Sequence, residues 1–215
     1  MVTSFLLLAS SALAGVQPTT NDLQQLIKNR GIHSGSGFTQ AQGDIEAKYG
    51  KKAFAPLMKI GESKTAEDSH RYFAIQTAAQ LGGVEAESHL KPLLNDSSWM
   101  VRSASLNSLM KIRANLDAKE WKKLLKDPAL VMRSQAVRAV ATAQPDQAAD
   151  WLIELLQDQN NFRNGRPEWV SFEALKTLPQ FTLNEKHRSA LKELFKKHKD
   201  DKFRKAISPL MKEAP

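Results

Sequence analysis

Cysteine is absent from all 215 residues. That excludes a disulfide framework, a thiolate metal site and a cysteine nucleophile. Long apolar runs are missing as well. The strongest, Phe5–Ala9, is far too short to cross a bilayer, so no membrane span is expected. No segment sustains a two-residue alternation of apolar and polar side chains, so no strand is expected. Phosphate-binding glycine loops and the G-x-S-x-G turn do not occur. Histidine is sparse: the five, at positions 33, 70, 89, 187 and 198, include no two spaced three or four apart, so no helical metal pair forms. No cofactor or metal is expected. Acidic residues are in deficit, 23 against 31 Lys and Arg, for a formal charge of +8. The excess is concentrated at the end. From Asn184 onward ten Lys and Arg face five Asp and Glu, which favours acidic partners.

The first 14 residues, MVTSFLLLASSALA, carry no charge. A short apolar run followed by the small-x-small ending Ala12-Leu13-Ala14 reads as a secretory signal peptide cut near Ala14. No Lys or Arg precedes the run, and Met1 need not be the true start. No Cys follows it to take a lipid. The expectation is an exported chain, periplasmic or secreted, with a loose segment and short capping helix over 15–38 and one helical domain over 39–215.

A repeat dominates the remainder. Ala74, Ser105, Ala136, Ala174 and Ala206 are successive counterparts, spaced 31, 31, 38 and 32. The residues that follow them (Ile75, Leu106, Val137, Leu175, Ile207) and those four on (Ala78, Leu109, Val140, Leu178, Leu210) complete an i, i+1, i+4 stripe, the buried face of a helix. Between these lie second apolar helices, about 85–94, 117–125, 146–156 and 183–195, with Asp117, Asp146 and Asn184 suited to their starts. A regular period in this range marks stacked supersecondary units that build one core together.

Asp96 precedes Arg102 by six residues, and Asp127 precedes Arg133 by six. With the stripe that follows, the pattern resembles HEAT repeats of the short bacterial kind, such as those of bilin-lyase-type proteins. The resemblance covers about 68–215. It implies an all-α, right-handed α-solenoid of stacked helix pairs, and a structural ladder of Asp96, Arg102, Asp127 and Arg133 linking adjacent repeats. Arg71 matches only the Arg position. Ser171 and Phe203 stand where later arginines would fall, so the ladder is expected to stop midway.

The candidate binding residues follow from the same alignment. Positions one before, two after and six after each reference residue are expected to form an exposed face, concave in a stack of helix pairs. It includes Asn107, Lys111, Arg138, Lys176 and Lys205, and also takes in Phe73, Ala104 and Gln135. The spacing of 38 marks an insertion, DQNNFRNGRPEW, at 158–169. Insertions in stacked repeats map to loops on one face, often the binding face. This one brings Phe162, Arg163, Arg166 and Trp169, the aromatic and Arg mixture favoured in interface anchors. Trp99, Trp121 and Trp151 are expected in the packing between helices. Ser108–Lys111 and Ser189–Lys192 fit S-x-x-K, but the companion S-D-N and K-T-G motifs are missing, so catalysis is not expected.

The favoured expectation is therefore an exported, non-enzymatic protein-binding module, an adaptor or inhibitor of an envelope protein with an acidic surface. The alternatives are a HEAT-like alkylpurine DNA glycosylase, another basic binder of nucleic acid or anionic glycan, and, from the same resemblance, a bilin lyase subunit. The glycosylase reading lacks a catalytic Asp on the candidate face, which offers only Glu173, and an export signal makes nucleic acid a poor partner. Protein recovered from its native host should begin near Gly15, which N-terminal sequencing reads directly. Intact Met1 in the cytosol would overturn export and revive the repair and lyase readings.

Overall fold

A computed structural model describes residues 17–32 and 35–212. The proposed signal peptide, His33 and the last three residues lie outside the described residues. The chain is predominantly helical, and it divides into two compact units, 1–114 and 115–215.

The first unit holds α1 (Thr20–Asn29), α2 (Gly35–Tyr49), α3 (Phe54–Glu62), α4 (Asp68–Gly82), α5 (Glu87–Leu93) and α6 (Trp99–Lys111). Helix α1 starts in a capping box, with Thr19 Oγ1 accepting from Asp22 N–H and Asp22 accepting from Thr19 N–H, which satisfies two otherwise orphaned donors. Helix α2 begins at Gly35, inside the 15–38 stretch expected to hold only a loose segment and a short capping helix. Helix α4 packs against both α3 and α6, and α5 packs on α6. The α3–α4 approach is very close: a Cβ on Gly61 would lie 2.6 Å from Ile75 Cγ1, so only glycine fits there.

The second unit holds α7 (Ala118–Leu125), α8 (Leu130–Ala143), α9 (Ala148–Gln157), α10 (Trp169–Thr177), α11 (Glu185–Lys197) and α12 (Asp201–Ile207). Helices α8, α10 and α12 pack side by side as one layer, and α7, α9 and α11 form the other. Asp117 and Asn184 cap α7 and α11 with complete capping boxes, whereas Asp146 is not a cap, because Gln147 takes the N-cap position of α9. The repeat stripe is the core: Ile75, Leu106, Val137 and Ile207 have no solvent exposure, and Leu175 almost none. Burying each such side chain contributes about 1.5–3 kcal/mol. At the last repeat the stripe loosens, with Ala206 and Leu210 half-buried.

Polar rungs join the starts of successive first-layer helices. Asp96 is the clearest. Its side chain is sealed from solvent, accepts Arg71 Nη2 at 2.5 Å and Ser98 N–H at 2.9 Å, and also pairs with Lys64. Its carbonyl oxygen accepts Arg102 Nη1 at 2.8 Å. The arginine six residues on therefore caps the Asp backbone, while the Asp side chain serves the arginine of the preceding helix. The second unit repeats the arrangement with a substitution. Arg133 Nη1 caps the Asp127 carbonyl at 2.7 Å, and its Nε reaches forward to Asn161 Oδ1 at 2.7 Å. Asn161 is fully buried, donates Nδ2 to Leu155 O, and receives the Ser171 hydroxyl on its own carbonyl. Asn161 thus occupies the aspartate's role and Ser171 the arginine's, so the ladder continues past the insertion where the sequence suggested an end.

Burial alone would raise the Asp96 carboxyl, but hydrogen bonds from Arg71, Lys64 and Ser98 outweigh it and hold the group well below the carboxylate range. Stability from Asp96 is therefore complete above its unfolded pKa of about 3.9 and is lost as pH falls below that value. Arg71→Ala should cost about 3 kcal/mol, because it removes the buried charge partner of the Asp96 carboxylate and leaves only Lys64 and Ser98 N–H to hold it. Urea unfolding at pH 7 checks the cost. The same titration run down to pH 3 should flatten in Asp96→Asn.

Candidate protein-binding site

The insertion is folded rather than loose. Residues Phe162–Arg163 (β1) and Arg166–Pro167 (β2) pair antiparallel in the register Phe162↔Pro167 and Arg163↔Arg166. This corrects the expectation of no strand. Asn164 and Gly165, both at positive φ (52° and 74°), make the two-residue turn that matches the natural strand twist. The Asn-Gly dipeptide is the sequence signal that announces such a hairpin, and it stood in plain view between Phe-Arg and Arg-Pro. Below the hairpin Asn161 is the anchor: its carbonyl also accepts Glu168 N–H at 2.8 Å, closing the loop just before α10.

Phe162 does not project outward. Its ring stacks on His198 at a centroid distance of 4.4 Å and meets Phe203 edge-on at 5.8 Å, so it docks the hairpin instead of offering itself to a partner. Arg163 and Arg166 are exposed. Arg166 lines an open cleft of about 500 Å³ with Gly165, Lys199, Asp200, Asp201 and Lys202.

Helix α8 presents Val131, 37% exposed, and Arg138 seven residues later; α10 presents Trp169, 43% exposed, and Lys176 seven residues later. Seven residues are nearly two turns, so each pair shares one side of its helix, about 10 Å apart along the axis. Because α8 and α10 pack together and the two pairs occupy equal repeat positions, the second unit carries a doubled motif of apolar group then cation. Arg138, Arg163, Arg166 and Lys176 make no side-chain hydrogen bond or ion pair among the described residues. Many other cations of the unit are committed, such as Lys122 and Lys126 to Glu154 and Lys192 to Glu185.

The other candidates are placed differently. Lys205 is exposed on α12, which packs on α10. Asn107, half-buried, and Lys111, exposed, belong to α6 of the first unit. The position before the reference residue is not exposed in the first three repeats, where Phe73 and Ala104 are fully buried and Gln135 nearly so; it opens at half-buried Glu173 and exposed Lys205. A phase error of one residue explains this, since the buried arc of a packed first-layer helix is wider than its i, i+1, i+4 stripe. Trp121 and Trp151 are buried as expected, but Trp99 is 46% exposed at the first turn of α6. Ser108 is sealed inside α6 while Lys111 is exposed. Among the described residues no three His, Cys, Asp or Glu side chains cluster to hold a metal ion, and no helix is long and apolar enough to cross a membrane.

No family model matches the chain, and no curated protein matches it.

Gly165→Val should strain the turn by about 1–2 kcal/mol, the cost of a left-handed backbone for a residue with a side chain. Hydrogen exchange should show faster opening at residues 162–167, with protection of α8 and α9 unchanged.

Proposed function

We propose that this chain is an exported, non-enzymatic binding module, an α-solenoid of about five HEAT-like repeats, that grips an acidic surface of another protein. The contact face is the exposed side of α8 and α10 together with the 162–167 hairpin. The observation that carries the reading is the doubled motif: Val131 with Arg138, and Trp169 with Lys176, at equal positions on packed helices. Exposed large apolar side chains flanked by uncommitted cations fit an interface with an apolar centre and a polar rim. Trp and Arg are the residue types that most often carry binding energy. The hairpin adds Arg163 and Arg166 on a loop already ordered, so little entropy is lost when a partner docks.

The export reading rests on the uncharged N-terminal segment and the non-enzymatic reading on the lack of a catalytic constellation in the sequence. Capture from envelope fractions of the native host, followed by mass spectrometry, identifies the partner. Trp169→Ala should weaken its binding by about 2 kcal/mol or more, with the helical circular-dichroism signal retained. A triple change of Arg138, Arg166 and Lys176 to Ala that leaves affinity intact would place the site elsewhere. Binding that survives on sulfated glycan or duplex DNA alone, with a steep fall in added salt, would favour the alternative partners.

A further inference from the structure

The polar ladder changes character at the last rung of the second unit. Where earlier first-layer helices carry Arg133 and then Ser171, α12 carries Phe203, fully buried. Five residues before it, His198 ends α11, its backbone N–H bonded to Leu194 O. The imidazole is enclosed by rings: Phe162 stacks on it at 4.4 Å and 13°, and Phe203 meets it edge-on at 5.3 Å. Phe172 closes the other side of Phe203 at 6.0 Å. His198 is 8% exposed, and its Nε2 is sealed from solvent with no hydrogen-bond partner among the described residues.

A neutral imidazole tolerates this place, because its bare nitrogen need not donate. An imidazolium has N–H on both nitrogens, so protonation forces a donor onto Nε2 where nothing accepts it. It also adds charge inside an aromatic enclosure. The charged groups on the elements around the ring do not relieve this. Lys197 and Lys199 flank it in sequence. Around α12 stand Asp200, Asp201, Lys202 and Arg204; the hairpin brings Arg163 and Arg166; α10 brings Glu168 and Glu173. Asp200 is engaged in capping Phe203 N–H, and Arg204 lies over the Phe195 ring. Among the described residues no carboxylate reaches Nε2. Burial, and then the Lys197 charge, lower the proton affinity of His198.

We propose that His198 is a pH-sensitive latch for the 162–167 hairpin: neutral, it holds Phe162 in the ring cluster; protonated, it must leave the enclosure, and the hairpin lifts with it. Docking is complete above the ordinary imidazole range and weakens as pH falls below it, because the released state binds the proton more tightly. As a control of partner binding, the latch rests on the proposed contact face, since Arg163 and Arg166 ride on the hairpin. Binding at that face is then strongest near neutral pH and is shed in mild acid.

The latch itself is tested without a partner, on the full chain. Hydrogen exchange at the amides of residues 162–166, corrected for the intrinsic pH effect, should show a several-fold loss of protection from pH 7.5 to 5. Protection in α8 and α9 should hold. The midpoint should coincide with the His198 titration followed by its ring-proton shifts in the unmodified protein. His198→Phe keeps a ring for the stack and removes the titration, so its hairpin should stay docked across the range. Unchanged hairpin protection in acid, or the same pH dependence in His198→Phe, overturns the latch. A latch that opens while affinity for the captured partner stays level overturns only the hairpin's part in the binding reading.

Discussion

Each unit depends on how one buried polar side chain in the connection ahead of a first-layer helix is satisfied. Stacked helices leave orphaned backbone groups at their ends, and packing one repeat on another takes water away from them. Asp96 and Asn161 solve this problem in the same way. Each offers its carbonyl to a side chain of the helix that follows, Arg102 or Ser171, and its own side chain to an arginine of the helix before, Arg71 or Arg133. One residue thereby fixes the height of two helices. The apolar stripe supplies most of the free energy, but it is non-directional. The rung makes the register unique, since a slip would leave a buried guanidinium and a buried acceptor unpaired.

Much of this was legible in the sequence. The stripe at Ala136, Val137 and Val140 reports a helix face directly, and its recurrence reports packing of like on like. The helix starts at Asp117 and Asn184 were equally open, because capping is a local matter of one side chain and the next turn. What was hidden is non-local. Nothing in the spacing of Asp127 and Arg133 says that Arg133 also reaches 28 residues ahead to Asn161. A ladder defined by charge appeared to end where an amide and a hydroxyl took over the same bonds. The hairpin was overlooked for a different reason: two residues per strand are too few to show alternation, and only the Asn164-Gly165 turn betrayed it.

On the candidate face Arg138 and Lys176 are exposed as the spacing implies, whereas Phe73, Ala104 and Gln135 are buried. Exposure on a packed helix is a narrow arc, and the alignment gave its centre better than its width. Phe162 shows the same limit. Its residue type suits an anchor, but an aromatic ring at the base of a hairpin finds other rings first, here His198 and Phe203. Val131 gave no signal by itself. It gains meaning from sharing a register with Trp169, which only the packing of α8 on α10 makes physical.

The clamp at Asn161 has a consequence for how such a chain changes over time. Its carbonyl holds Glu168 N–H and the Ser171 hydroxyl, and its side chain holds Arg133 and Leu155, so every bond that matters to the stack is made at the base of the loop. The segment beyond is a closed ring whose ends are already joined. Lengthening such a ring costs only about 0.6 kcal/mol per doubling. The tip is thus a cassette: residues 163–166 can be rewritten, extended or exchanged, and the helices beneath need not register the difference. The tip and the stack can therefore change separately, on either side of one asparagine.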